Sequence, residues 1–344
     1  MEYLEVETYG IFSNVDGTIT KINSIVKDDG YEFIPISLHE LELKFSEVFN
    51  ISRHYNSKKN ILKSMSREED GNLNTVSKQF DEALKIYFNL RKYSNNALEI
   101  GPDYEVYLLK RNENVYLKKT DNYRIINKPE EAQKKLFNFS KELIKKLRLF
   151  KNGQINLQGY FSILKEEREV ISKYKTPIQP LYAVKKYTIE DDELEDLKKI
   201  LENEIEVQEY LKLAIKSFEL AYETPKKKIR FVLNIMALES IFNRGSRDPI
   251  AHIMARHAAL LLSDNREDFD NIFKKVKKLY SIRCDIVHGT TNKTRLKKLK
   301  NKLDDQLSTL EEITRQVILK CMWLNDISNK KLLFDYLNKK GFEG

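Results

Sequence analysis

Cysteine is nearly absent from this chain: two residues, Cys284 and Cys321, in 344. Two thiols make no disulfide framework, and no CxxC pair is present for zinc or redox chemistry, so reduced thiols are expected. Long apolar runs are also missing. Stretches such as residues 258–262 fall far short of the roughly 20 apolar residues a membrane-crossing helix needs, so no membrane partner is expected. The opening residues, MEYLEVETYG, are acidic and alternating where a secretory leader would be basic and then apolar, which predicts a cytoplasmic location. The common catalytic signatures GxGxxG, GxxxxGK[ST], HExxH and GxSxG do not occur either, which removes the commonest enzyme classes. Of the five histidines, His39 and His54 lie in the N-terminal region and His252 and His257 are five residues apart. No metal-ligand spacing emerges from them, and neither metal nor cofactor is expected.

The chain does have the makings of a folded protein. Apolar residues are 41% and charged residues 33%, an ordinary balance, and 344 residues exceed the usual single domain, so two domains are expected. The first third carries strand signals: alternation over residues 3–12, a turn at Asp16-Gly17 and short runs up to Ile36. Residues 104–119 (YEVYLLKRNENVYLKK) read as a hairpin around Arg111-Asn112-Glu113-Asn114. Helical spacing over 80–93 and 130–150 makes this region mixed. Pro177, Pro180 and an acidic run at 190–196 place a boundary near residue 190. Beyond it the pattern is helical, with helices expected over 193–222, 226–243, 249–262, 266–288 and 294–324 and a short one from Lys330. Gly245 and Gly289 suit helix ends that need positive φ. The expected fold class is α+β: a mixed α/β domain over 1–190 followed by an all-α bundle over 191–344.

The net charge of +8 is unevenly spread, since eleven Lys or Arg and a single acid, Asp285, lie between residues 274 and 302. In the middle of that stretch sits LYSIRCDIVHG, residues 279–289, closing the 266–288 helix. Phe269, Ile272, Phe273, Val276, Leu279, Tyr280, Ile282, Ile286 and Val287 recur at spacings of three and four, an apolar face expected to be core. Arg283 lies on or beside that stripe and needs a partner. His288 follows five residues later, about 7.5 Å along the axis and about 140° around it in an ideal helix. A histidine can take the 2′-hydroxyl proton of RNA or supply one to the leaving oxygen near neutral pH. A guanidinium can hold the scissile phosphate. Lys274, Lys275, Lys277 and Lys278 before the motif, and Lys293, Arg295, Lys297 and Lys298 after it, could attract the polyanion or form a plain solvated surface. The alternative reading is structural: a histidine beside a helix-ending glycine, and an arginine paired with an acid. Glu239 lies in a helix that is apolar nearly all round, so its carboxylate needs a partner, with Arg256 and Arg283 as candidates.

LYSIRCDIVHG resembles the Arg-x4–6-His signature of HEPN (higher eukaryotes and prokaryotes nucleotide-binding) domains, and is most similar to the ApeA-like branch. Ala237-Leu238-Glu239-Ser240-Ile241-Phe242, and the helix around Arg256, match that branch's preceding elements in order, so the resemblance covers about residues 190 to 330. It implies a helical bundle, a homodimer with a composite site, metal-independent RNA cleavage, and service in antiviral defence or toxin systems. It implies Arg283 and His288 as the catalytic pair, with Glu239, Arg256, Tyr280 and Asp285 in support. The chain departs from the pattern in carrying Cys284 directly after the arginine, where a polar residue is common, with Asp285 next. The N-terminal region, outside the resemblance, is expected to sense a viral or regulatory trigger. A non-catalytic module binding RNA or nucleotide, and a dimerising scaffold, are the alternatives.

Overall fold

Two units emerge from the chain's internal packing: residues 1–148 with 153–202, and residues 149–152 with 203–344. The structure, a computed structural model, describes residues 2–37, 105–117, 129–165, 170–175, 186–202, 207–224, 226–243, 249–289, 293–324 and 326–341. The helix expected over 80–93 and the glycine end expected at Gly245 lie outside the described residues.

The first unit is built on an antiparallel sheet of β1 (Glu2–Ser13), β2 (Tyr31–Ser37), β3 (Glu105–Leu117), β4 (Asn156–Leu164) and β5 (Val170–Lys175), in the order β2-β3-β1-β4-β5. Residues directly opposite in antiparallel strands share a face, so Thr8, Arg111 and Ser162 line one side together. Thr8 and Ser162 join their hydroxyls at 3.0 Å there. Helix α2 (Pro129–Phe150) packs on that side, burying Ala132, Leu136, Leu143 and Leu147, a 3.6-residue stripe. Its Phe139 stacks on Tyr31 at 3.8 Å between ring centres. Between β1 and β2 the chain winds through helical turns, including the short α1 (Asn23–Val26), that bury Ile19, Ile22, Ile25 and Val26.

Residues 104–119 do not form the expected hairpin. Residues 105–117 run as one strand, with Arg111, Asn112, Glu113 and Asn114 opposite Thr8, Glu7, Val6 and Glu5. A hairpin needs a partner from its own chain neighbourhood; β3 lies between β1 and β2, which supply both partners. Its polar middle fits because it alternates, Asn112 and Asn114 to water and Arg111 and Glu113 half-buried.

The boundary also lies later than residue 190. The acidic run does open a helix, a short 3-10 turn over Asp191–Glu193 with Glu190 and Glu193 forming a capping box, but α3 (Leu194–Glu202) that follows belongs to the first unit. Leu197 and Ile200 are buried there, and Lys146 donates to the Leu201 carbonyl at 2.7 Å. The single helix expected over 193–222 is two, α3 and α4 (Glu209–Glu223), because their apolar faces serve different cores.

The second unit continues with α5 (Lys227–Phe242), α6 (Ile250–Leu262), α7 (Arg266–His288), α8 (Lys293–Met322) and α9 (Lys330–Lys339). Together the units make an α+β protein. Phe218, Phe231, Ile235, Leu238, Met254, Leu310 and Val317 fill the helical core. Ala214, Ser217 and Ala221 of α4 are small and buried, and α4 packs against both α5 and α8. Among the described residues, no helix is long and apolar enough to cross a membrane.

Candidate functional site

Helix α7 starts where Asn265 accepts a hydrogen bond from the Asp268 amide at 2.9 Å, and it stops at Gly289, whose φ of +74° fulfils the expected glycine end. Between these points its apolar face is less buried than its spacing predicts. Only Val276 and Leu279 are buried; Phe269, Ile272, Phe273, Tyr280, Ile282 and Ile286 are half-buried, and Val287 is 47% exposed. For the last part of that face, Tyr280 to Val287, length explains the difference: 23 residues span about 34 Å, whereas the 13 of α6 span about 20 Å. The two helices run back to back from the connection at 263–265, so the last turns of α7 extend past the start of α6. Every residue from Ile282 to Ile286 is half-buried, and Val287 and His288 are exposed.

Arg283 lies in this overrun, one turn after Leu279. Its Nη2 is 3.7 Å from Oε1 of Glu239 in the last turn of α5, both side chains about one-fifth exposed. Its guanidinium carbon sits 5.6 Å from the centre of the Tyr280 ring, within cation–π range. Burial, then the Glu239 carboxylate, push the Tyr280 hydroxyl above its ordinary value against the opposing charge of Arg283, which keeps the phenol protonated. The guanidinium Nε is buried with no hydrogen-bond partner. Of the two partners expected for Glu239, the fold selects Arg283. Arg256 reaches the other way, its Nη1 donating to Asn338 Oδ1 of α9 at 3.1 Å and lying 3.4 Å from His257 Nε2. His257 is buried between Phe242 and Phe334, and exposed His252 meets the edge of Phe273. Asp285 and Cys284 are half-buried.

Lys274, Lys275, Lys277 and Lys278 are all exposed. On an ideal helix they span one face, which His288 shares, while Arg283 points about 140° away from His288. The side chains of Lys293, Arg295, Lys297 and Lys298 lie outside the described residues. Among the described residues, clefts of about 440 and 400 Å³ open on this unit, and neither of these is lined by Arg283 or His288. Among the described residues, no three His, Cys, Asp or Glu side chains gather to hold a metal ion.

Sequence reasoning overlooked a buried ion pair on the opposite side of α5. Arg230 donates to Glu311 of α8 at 2.6 Å, with both side chains under one-tenth exposed. Burial holds the Glu311 carboxyl above its ordinary value although Arg230 and Arg315 pull it down. The signal was available: one arginine and one glutamate among the apolar residues of two buried helix faces. Compared with known proteins, the chain matches no protein-family model, no curated protein and no solved structure.

Proposed function

We propose that this protein is a metal-independent endoribonuclease of HEPN type, acting as a homodimer on RNA in the cytoplasm. The observation that supports it most is the state of Arg283: a permanent cation at a half-covered helix end, about one-fifth exposed, with its nearest carboxylate beyond hydrogen-bond distance of Nη2. Such a guanidinium keeps donors in hand for a phosphate. In this reading Arg283 clamps the phosphate, and His288, exposed at the end of the same helix, moves the proton to or from the 2′-hydroxyl or the leaving oxygen. Because the two groups point about 140° apart on one helix, a shared phosphate calls for a second copy of α7 facing the first. Lys274, Lys275, Lys277 and Lys278, on the face of His288, would carry the flanking backbone. A role in antiviral defence, with the sheet unit answering a trigger, rests on the sequence resemblance alone.

The test is incubation of the full chain with mixed RNAs in EDTA, reading product ends for 2′,3′-cyclic phosphate. Cleavage that persists in chelator and disappears in His288→Ala, with melting temperature unchanged, is the expected result; unchanged cleavage in that variant removes His288 from the mechanism. A second reading, a dimerising scaffold, draws on the Glu239–Arg283 pair and on exposed apolar side chains at Ile229, Met236 and Val287. It expects Arg283→Ala to dissociate the dimer or lower its melting temperature with no cleavage to lose. Binding of RNA or nucleotide without cleavage would assign the site to a non-catalytic module.

A further inference from the structure

We propose that Glu239 is a tethered anion that occupies Arg283 in the resting protein, so that an RNA phosphate must displace this carboxylate before the guanidinium can take it. The proposal rests on the ribonuclease reading of the same site and adds its regulation.

Three observations carry it. The Glu239–Arg283 contact, at 3.7 Å, is an ion pair without the short forked hydrogen bonds a guanidinium makes to a well-aligned carboxylate. It is held by charge, and charge is what an incoming phosphate competes for. Both partners are about one-fifth exposed, so the competitor can reach them, and a pair this long, without an aligned hydrogen bond, can exchange. The two partners also differ in how firmly they are seated. Glu239 rides on α5 between Leu238 and Phe242, both fully buried, so its backbone is fixed. Arg283 rides on the overrun of α7, where no residue after Leu279 is fully buried. When a phosphate arrives, Arg283 is therefore the partner that can turn. A resting guanidinium neutralised in this way attracts stray anions poorly. A polyanion that also meets Lys274, Lys275, Lys277 and Lys278 can offset the lost pair with other contacts. Glu239 thus sets a threshold favouring long RNA over free phosphate or short fragments.

The experiment is a fluorescence-anisotropy titration of the full-length protein with a labelled single-stranded RNA carrying 2′-O-methyl groups, which lacks the attacking hydroxyl and cannot be cleaved. Glu239→Gln, which keeps the shape and removes the charge, is expected to bind about three- to tenfold more tightly at low salt, with the slope of log affinity against log salt steeper by about one. In the Glu239→Gln background, Arg283→Ala should abolish the gain, because the two residues are coupled. Glu239→Asp, which retains the charge on a shorter arm, should fall between, and it carries the test if the glutamine variant melts early. Equal or weaker binding by both variants at wild-type melting temperature overturns the tether and leaves Glu239 an orienting group. If Arg283→Ala alone weakens binding while Glu239→Gln does not strengthen it, the clamp survives and the tether fails. If the wild-type chain neither binds this RNA nor cleaves its unmodified form, the ribonuclease reading fails and takes the tether with it.

Discussion

Glu311 sits where water scarcely reaches, with Arg230 at 2.6 Å as its compensation. Breaking such a pair from one side leaves a charge stranded, so Arg230→Ala should cost about 3–5 kcal/mol of stability, read by denaturant unfolding. The pH dependence has a definite sign. Because burial raises the Glu311 carboxyl above its ordinary value of 4.5, the folded state holds that proton more tightly than the unfolded chain does. Its contribution to stability is fully present below the unfolded value and is lost as pH rises through the folded one. Melting curves of wild type and Glu311→Gln should therefore diverge with pH, the wild type losing ground between acid and neutral pH; a constant difference would contradict a raised carboxyl. For Arg283 the measurement is catalytic. If the guanidinium stabilises the charge of the transition state, Arg283→Ala should slow cleavage by about 10²–10³-fold. A variant as fast as wild type would leave the arginine a structural residue.

At the scale of the element, α7 is set by its ends. Gly289 takes a φ of +74°, where any Cβ is strained although nothing lies within 4 Å of the added atom. Gly289→Ala should therefore destabilise by about 1 kcal/mol through backbone strain alone, seen as a lower midpoint with an unchanged slope in urea. Because His288 precedes this glycine directly, the same substitution should lower cleavage more than stability. The helix itself was legible from residue 266 to residue 288, since its period and its glycine stop agree. The depth of its burial was not. Spacing at three and four says which residues share a face, and only the length of the neighbouring helix says how far that face is covered. The same holds for β3, whose extended character was legible but not its being a single strand, because its partners, β1 and β2, lie far away in the chain.

At the scale of the whole molecule, the helical unit carries apolar surface that its own core does not cover. Counting outward from the connection at 224–226 places Leu213 level with Met236 and Leu220 level with Ile229, and all four are exposed. Exposed apolar side chains of this kind, two of them on the helix that carries Glu239, would suit the second copy that the proposed composite site calls for. Met236→Asp is expected to shift the protein towards monomer in light scattering and to lower RNA cleavage in parallel. A variant that stays dimeric, or a monomer that cleaves at the wild-type rate, would separate these side chains from the activity.

By itself the sequence left strands β4 and β5 unread, but it determined the helical character of the second unit, the α+β order along the chain, the presence of Arg283 and His288 on one helix, and the concentration of positive charge around them. These depend on local spacing and on residue chemistry, which a linear string carries in full. Tertiary structure alone decided which acid Arg283 meets, that Arg256 turns to α9 instead, that α3 joins the sheet unit, and that Arg230 and Glu311 find each other across 81 positions. Each of those outcomes is a pairing between distant segments, and pairing is settled by the packing of whole helices, whose lengths and crossings no single window of sequence contains.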